Sequence, residues 1–174
     1  MIKWRKWVRE LAIFVVVLAA FSWGMDQWRK PTPPEIMHLP DVTLISGQTV
    51  SLAELSADKP LLIYFWATWC GVCKLTSPMV EGLHSDGMNV LSVAIRSGDN
   101  ERLMRGMTAK GITFPVVNDE LGRLSAEWNI SATPTFVILE QGKMVSSTSG
   151  WSSAWGVKFR MWWADARIFS NLAD

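Results

Sequence analysis

Leu61–Lys74 reads LLIYFWATWCGVCK, and this stretch decides the fold. Its first six residues, Leu61–Trp66, are apolar without interruption, the pattern of a strand covered on both faces. A short turn follows, and from about Cys70 to Leu83 the pattern becomes helical. Outward from this unit the alternation continues. Val90–Ile95 reads as a strand and Asn100–Lys110 as a helix capped by Asp99. Phe114–Val117 reads as a short strand and Leu121–Trp128 as a short helix. Thr135–Leu139 is a strand that turns at Gly142 into a partner, Met144–Thr148. On the other side, Val42 and Leu44, then Gly47, then Val50 and Leu52 predict two short strands around a turn. The last helix starts near Ser152 or Ser153. Its residues Trp155, Phe159, Trp162, Ala166 and Phe169 share one face, which is expected to cover the sheet. Strands alternating with helices mean a layered α/β domain with a central sheet.

The chain has 174 residues, 49% of them hydrophobic and only 19% charged, which excludes intrinsic disorder. The net charge of +1 is unevenly spread. Residues 1–30 hold Lys3, Arg5, Lys6, Arg9, Arg29 and Lys30 against Glu10 and Asp26, a balance of +4; the rest is −3. A mildly acidic body without a basic stripe argues against nucleic acid as partner. Two Cys cannot build a disulfide-rich scaffold.

Residues 1–10 are basic and carry Trp4 and Trp7; Leu11–Met25 is free of charge. Fifteen helical residues rise about 22 Å, short of the roughly 30 Å hydrocarbon core. Trp4, Trp7 and Val8 extend the apolar span, and Trp28 stands at the far boundary, as in an aromatic belt. Residues 11–28 thus read as one transmembrane helix, with residues 1–10 as its cytoplasmic basic segment. The rival reading is a signal peptide cut near Ala20-Phe21-Ser22. Either one exports the body to an oxidising compartment. Residues 29–41 hold Pro31, Pro33, Pro34 and Pro40, an extended spacer, and residues 42–172 form the folded domain.

One motif carries chemistry: Trp69-Cys70-Gly71-Val72-Cys73-Lys74. A dithiol catalyst needs one reachable thiolate, and a helix N-terminus favours negative charge there through its free N–H groups. It needs a second sulfur close by, and two intervening residues place Cys73 one turn along the helix. It needs a tight loop, which Gly71 would relieve. Other readings of the pair are half a zinc site, a structural disulfide and a Cu(I) site. Zinc would need more ligands than His38 in the spacer and His84 down the helix readily supply, so no metal ligands are assigned. A loop of two residues gains little chain-entropy stabilisation. The nine Met do not cluster with the Cys pair, which counts against copper. A thiol peroxidase would carry Thr three residues before its reactive Cys; here Ala67 stands there, with Thr68 one residue late.

FWATWCGVCK resembles the active-site segment of the thioredoxin superfamily. With the N-terminal segment and the Pro-rich spacer, the chain is similar to the membrane-tethered TlpA, ResA and DsbE group. CGVC with GWSSAWGVKFRMWWA looks most like the suppressor-for-copper-sensitivity D proteins of that group. The likeness runs over about Met37–Phe169. It implies a three-layer thioredoxin-like fold with a central mixed sheet, preceded by one transmembrane helix. It also implies a periplasmic protein disulfide oxidoreductase, anchored in the inner membrane and most similar to reductants of copper-stress defence. Cys70 would attack and Cys73 resolve, in a groove bordered by Trp69, Val72, Thr133 and Pro134. Thr133-Pro134 resembles the family's cis-proline loop, Pro78 its helix kink, and Gly142 and Gly150 its hairpin and sub-site glycines. No bound cofactor is implied beyond the redox-active disulfide. The partners would be protein thiols or disulfides and a membrane electron-transfer protein, with the chain itself a monomer. Two positions depart from the pattern. Where thioredoxins carry a buried Asp, six residues before the first Cys, this chain has Tyr64. Where some TlpA-like reductants carry Glu, three residues after the second Cys, it has Thr76. Glu81 lies further down the helix and is expected to be solvated, as is Lys74. Trp163, with Lys158 and Arg167, is a candidate contact for lipid headgroups or a membrane partner.

Overall fold

The computed structural model describes residues 2–28, 31, 39 and 41–171. It divides into two units, residues 1–30 and residues 31–174. The first is one helix, α1 (Ile2–Trp28). Among the described residues no helix is long and apolar enough to cross a membrane. The transmembrane helix expected over residues 11–28 is therefore not shown: in α1 the charge-free run of Leu11–Met25 is shorter than the hydrocarbon thickness. Most of the spacer, with His38, lies outside the described residues.

The second unit runs β1 (Asp41–Thr43), β2 (Thr49–Ser51), α2 (Leu52–Leu55), β3 (Leu61–Trp66), α3 (Cys73–Ser85), β4 (Val90–Ile95) and α4 (Asn100–Thr108). It continues through β5 (Val116–Asp119), α5 (Arg123–Glu127), β6 (Thr135–Glu140), β7 (Lys143–Ser149) and α6 (Ala154–Asn171). Five strands form one mixed sheet in the order β5-β4-β3-β6-β7. β3 pairs parallel with β4 and antiparallel with β6. β1 and β2 form a separate antiparallel ribbon.

All six residues of β3 are buried, because both faces of the sheet are covered. Leu62, Tyr64 and Trp66 face a core shared with Val80 and Leu83 of α3, Leu103 of α4, and Val157, Met161 and Ala164 of α6. Leu61, Ile63 and Phe65 face the opposite core, with Leu52, Val42 and Trp128. The fold is therefore helices, sheet, helices: a thioredoxin-like α/β arrangement whose central strand delivers its C-terminal end to the thiols.

Several expected boundaries move, each for a local reason. α3 begins at Cys73, with Val72 as its N-cap, so Cys70 stands before the helix. Leu52 is the first residue of α2 and no strand residue, since the Ser51 hydroxyl accepts from the Glu54 N–H. β5 starts two residues later than expected, after Pro115, which has no N–H for the ladder. α5 is shortened by Gly122, its left-handed N-cap at φ 73°. The largest correction is the phase of α6. Val157, Met161 and Ala164 are buried, whereas Trp155, Phe159 and Trp162 are exposed by 83, 60 and 60%. Side chains slimmer than an indole let the helix lie close to the sheet and α3; the bulky stripe points outward. Phe169 lies outside the described side chains.

Candidate functional site

β3 ends at Trp66, and the chain turns through Ala67–Trp69, where the Cys70 N–H donates to the Ala67 carbonyl at 3.2 Å. Cys70 and Cys73 form a disulfide, with Cα atoms 5.2 Å apart. The Cys73 N–H, at the start of α3, donates to Cys70 Sγ at 3.1 Å. This is the helix-terminus donor that the sequence placed at the pair, and it favours charge on that sulfur. On its other side Cys70 Sγ lies 3.5 Å from the Thr133 carbonyl oxygen. Cys70 is 6% exposed and Cys73 1%, so Cys70 is the more reachable.

The expected surroundings gather here. The Thr133-Pro134 peptide is cis. Pro134 is buried, and its carbonyl accepts from the Gly150 N–H at 2.7 Å. Trp69 and Val72 are exposed beside the sulfurs, at 62 and 40%. Lys74 is exposed and has no ion pair among the described residues. Pro78 lies within α3 on its exposed side, where it removes one backbone hydrogen bond. Gly71 does not play the expected part: its φ is not left-handed, and an added Cβ would meet nothing within 4 Å.

Tyr64 and Thr76, the two departures, turn out to be partners. The Tyr64 hydroxyl lies 2.8 Å from Thr76 Oγ1 and 3.1 Å from Ser77 Oγ, and all three residues are buried. Thr76 Oγ1 also reaches the carbonyls of Val72 and Cys73, at 3.4 and 3.5 Å. A neutral hydroxyl cluster therefore stands at the two places where the resemblance leads one to expect a carboxyl group. Burial pushes the Tyr64 phenol above its ordinary value, more than its bonds to Ser77 and Thr76 pull it down. Tyr64 also stacks on Phe136, with ring centroids 5.1 Å apart, which holds the ring while the hydroxyl points to α3.

Glu81 is not simply solvated. Its carboxylate accepts from the Thr113 N–H at 2.7 Å, from the Thr113 hydroxyl, and from the Phe114 N–H at 3.2 Å. Partial burial raises its affinity for a proton, but these bonds and nearby His84 outweigh it, so the group sits below the usual carboxylate range. Glu81 thus ties α3 to the loop before β5. Sequence reading missed this clamp, because its two ends are 32 residues apart.

The family described as AhpC/TSA matches residues 37–147. A "Thioredoxin-like protein" of Haemophilus influenzae is 38% identical over 155 residues, covering 89% of this chain and 92% of the relative. The "Sporulation thiol-disulfide oxidoreductase A" of Bacillus subtilis is 25% identical, over 82% of this chain and 90% of the relative. Among solved structures, StoA from Bacillus subtilis superposes with a TM-score of 0.61 at 23% identity, covering 70% of this chain and 94% of that one; this likeness speaks to the fold. The chain belongs to the AhpC/TSA family, and with its Cys70–Cys73 pair at the head of α3 it is a thioredoxin-like thiol–disulfide oxidoreductase.

Proposed function

We propose that the chain is a membrane-tethered reductant of protein disulfides facing the periplasm, of the kind represented by TlpA, ResA and the suppressor-for-copper-sensitivity D proteins. The observation that carries the roles is the setting of Cys70 Sγ, between the Cys73 N–H and the Thr133 carbonyl. In the dithiol form, the Cys70 thiolate attacks one sulfur of a substrate disulfide. A mixed disulfide forms and one substrate thiolate leaves. Cys73 then gives up its proton and attacks Cys70 Sγ. The second substrate thiolate leaves, the Cys70–Cys73 disulfide closes, and two electrons have passed to the substrate. An extended substrate segment would lie along Trp69, Val72 and Thr133-Pro134. No cofactor is needed beyond the Cys pair, and a membrane electron-transfer partner restores the dithiol.

The tether is supported by the four cations that precede the charge-free Leu11–Met25 and by the Trp residues at its two ends. The outward stripe of α6, with Trp162 and Trp163 exposed, suits a body held near a lipid surface, while Lys158 of the same helix is paired with Asp86 at 2.7 Å. The test is a pair of variants of the full chain. Cys70→Ser abolishes disulfide exchange; Cys73→Ser accumulates a mixed disulfide with substrate. Turnover retained in Cys70→Ser overturns the assignment of roles. Stoichiometric Cu(I) binding without any turnover would replace the enzyme by a copper-holding module. Peroxide consumption that survives Cys73→Ser would replace it by a peroxidase. Mass analysis of the chain in membranes decides whether residues 1–22 are retained.

A further inference from the structure

Just beyond β4, Arg96 adopts φ 46°, left-handed for a residue with a side chain. It is pinned from both sides. Its N–H donates to the Asp119 carbonyl at 2.9 Å, and its carbonyl accepts from the Trp69 indole at 3.2 Å. The Ser97 hydroxyl accepts from the Thr68 N–H at 3.0 Å. This loop is thereby stitched to the residues just ahead of Cys70.

Between the loop and α4 lies a cleft of about 420 Å³, walled by Trp66, Trp69, Arg96, Ser97, Arg102 and Lys110. Three of these residues are cations and no carboxylate lines the cleft. None of the three has an ion pair among the described residues. Such a grouping is not a sample of a basic surface, since residues 31–174 carry a net negative charge. Two left-handed glycines leave room for the arginines: the Arg96 guanidinium packs on Gly122, outside the cleft wall, and the Arg102 stem packs on Gly98, within it. A Cβ on Gly122 would meet Arg96 Nε at 2.7 Å, and one on Gly98 would meet Arg102 Cδ at 2.9 Å. Trp66, in the cleft wall, is 3% exposed, and its Nε1–H has no acceptor among the described residues.

We propose that this cleft is an anion subsite beside the Cys pair, taking a carboxylate that the substrate carries near its reacting sulfur. The proposal rests on the oxidoreductase reading above and adds a substrate preference to it. Trp69 links the two, since it lines the cleft and directly precedes Cys70. The carboxylate has two possible sources: an acidic side chain next to the cysteine of a protein disulfide, or the carboxyl groups of a small thiol such as glutathione.

The reduced full chain is assayed on two disulfide peptides that differ only in Glu or Gln beside the cysteine, and on glutathione disulfide against hydroxyethyl disulfide. The expected preference for the carboxylate member is about fivefold at low salt, falling as salt rises, the scale of weakly screened surface ion pairs. In Arg102→Gln/Lys110→Gln the preference collapses to parity, while in Lys143→Gln, on the distant β7, it persists. A preference confined to the peptide pair assigns the carboxylate to a protein side chain; one confined to the glutathione pair assigns it to a small thiol. Equal rates within both pairs, or a preference unchanged in the double variant, overturn the subsite and leave the enzyme standing. If no disulfide is turned over, the oxidoreductase reading fails. The subsite is then read by titrating a cysteine-free Glu peptide against the indole N–H resonances of Trp66 and Trp69. Movement in the parent and not in the double variant supports the subsite; no movement at millimolar peptide overturns it.

Discussion

Tyr64→Phe removes one oxygen from the fully buried cluster beneath the thiols, and its consequences can be worked from the neighbours. Thr76 Oγ1 keeps the Val72 and Cys73 carbonyls, at 3.4 and 3.5 Å. Ser77 Oγ, in a residue 4% exposed, has Tyr64 as its only hydrogen-bond partner among the described residues and is left alone. An orphaned buried hydroxyl costs about 1–3 kcal/mol, so the variant should lose about 2 kcal/mol. For a body of this size that is about 4–8 °C in Tm. Ser77→Ala alone strands less, because the Tyr64 hydroxyl retains Thr76. In Tyr64→Phe/Ser77→Ala both partners are gone, so the double variant should be no less stable than Tyr64→Phe alone, a coupling of about 1 kcal/mol. Urea unfolding of the full-length oxidised protein measures all four corners of the cycle. Strictly additive losses would refute the reasoning, since they would mean that Ser77 finds water or another partner. The same cluster has a pH signature. Tyr64 is the chain's only tyrosine, so phenolate absorbance reports on it alone. Its folded value is raised, so its contribution to stability is complete below the unfolded value of about 10 and is lost as pH rises through the folded value. An alkaline loss of stability that is present in the parent and absent in Tyr64→Phe is the expected result.

The Glu81 clamp carries the opposite sign. Its folded value is lowered, so its contribution is present above the unfolded value of about 4.3 and is lost as pH falls through the folded one. Glu81→Gln should cost about 1 kcal/mol at neutral pH, and the gap to the parent should close in acid, as read by unfolding at several pH values. For α6, Met161→Ala should cost about 2–3 kcal/mol, whereas Trp162→Ala, at 60% exposure, should stay within about 0.5 kcal/mol. A larger loss from Trp162 would restore the helix phase that the sequence alone suggests.

What the sequence makes legible is whatever depends on neighbours in the chain. LLIYFW must be a strand buried on both faces, and Cys70 and Cys73 must meet where that strand turns into a helix. Asp99 caps α4 as expected, its carboxylate accepting from the Arg102 N–H at 2.8 Å. The phase of α6 was not legible, because two stripes compete on that helix and transfer energy alone favours the one with tryptophan. Close packing against the sheet and α3 selects the smaller side chains instead, and only the tertiary fold supplies that constraint. The pairing of Tyr64 with Thr76 also needs three dimensions: each residue is visible as a departure, but their contact depends on α3 lying across β3. The cleft behind Trp69 depends on the left-handed turn at Arg96, for which a sequence of Arg-Ser-Gly gives no warning.

The outward aromatic ribbon of α6 also has a consequence for handling the protein. Freed from its first thirty residues, the body would still present Trp151, Trp155, Phe159, Trp162 and Trp163 to water, each more than half exposed. Such a fragment should be retained on phenyl resins, brighten polarity-sensitive dyes while fully native, and self-associate as salt rises. Dye binding by this molecule is therefore no sign of unfolding, and thermal shifts read with such dyes will start from a high baseline.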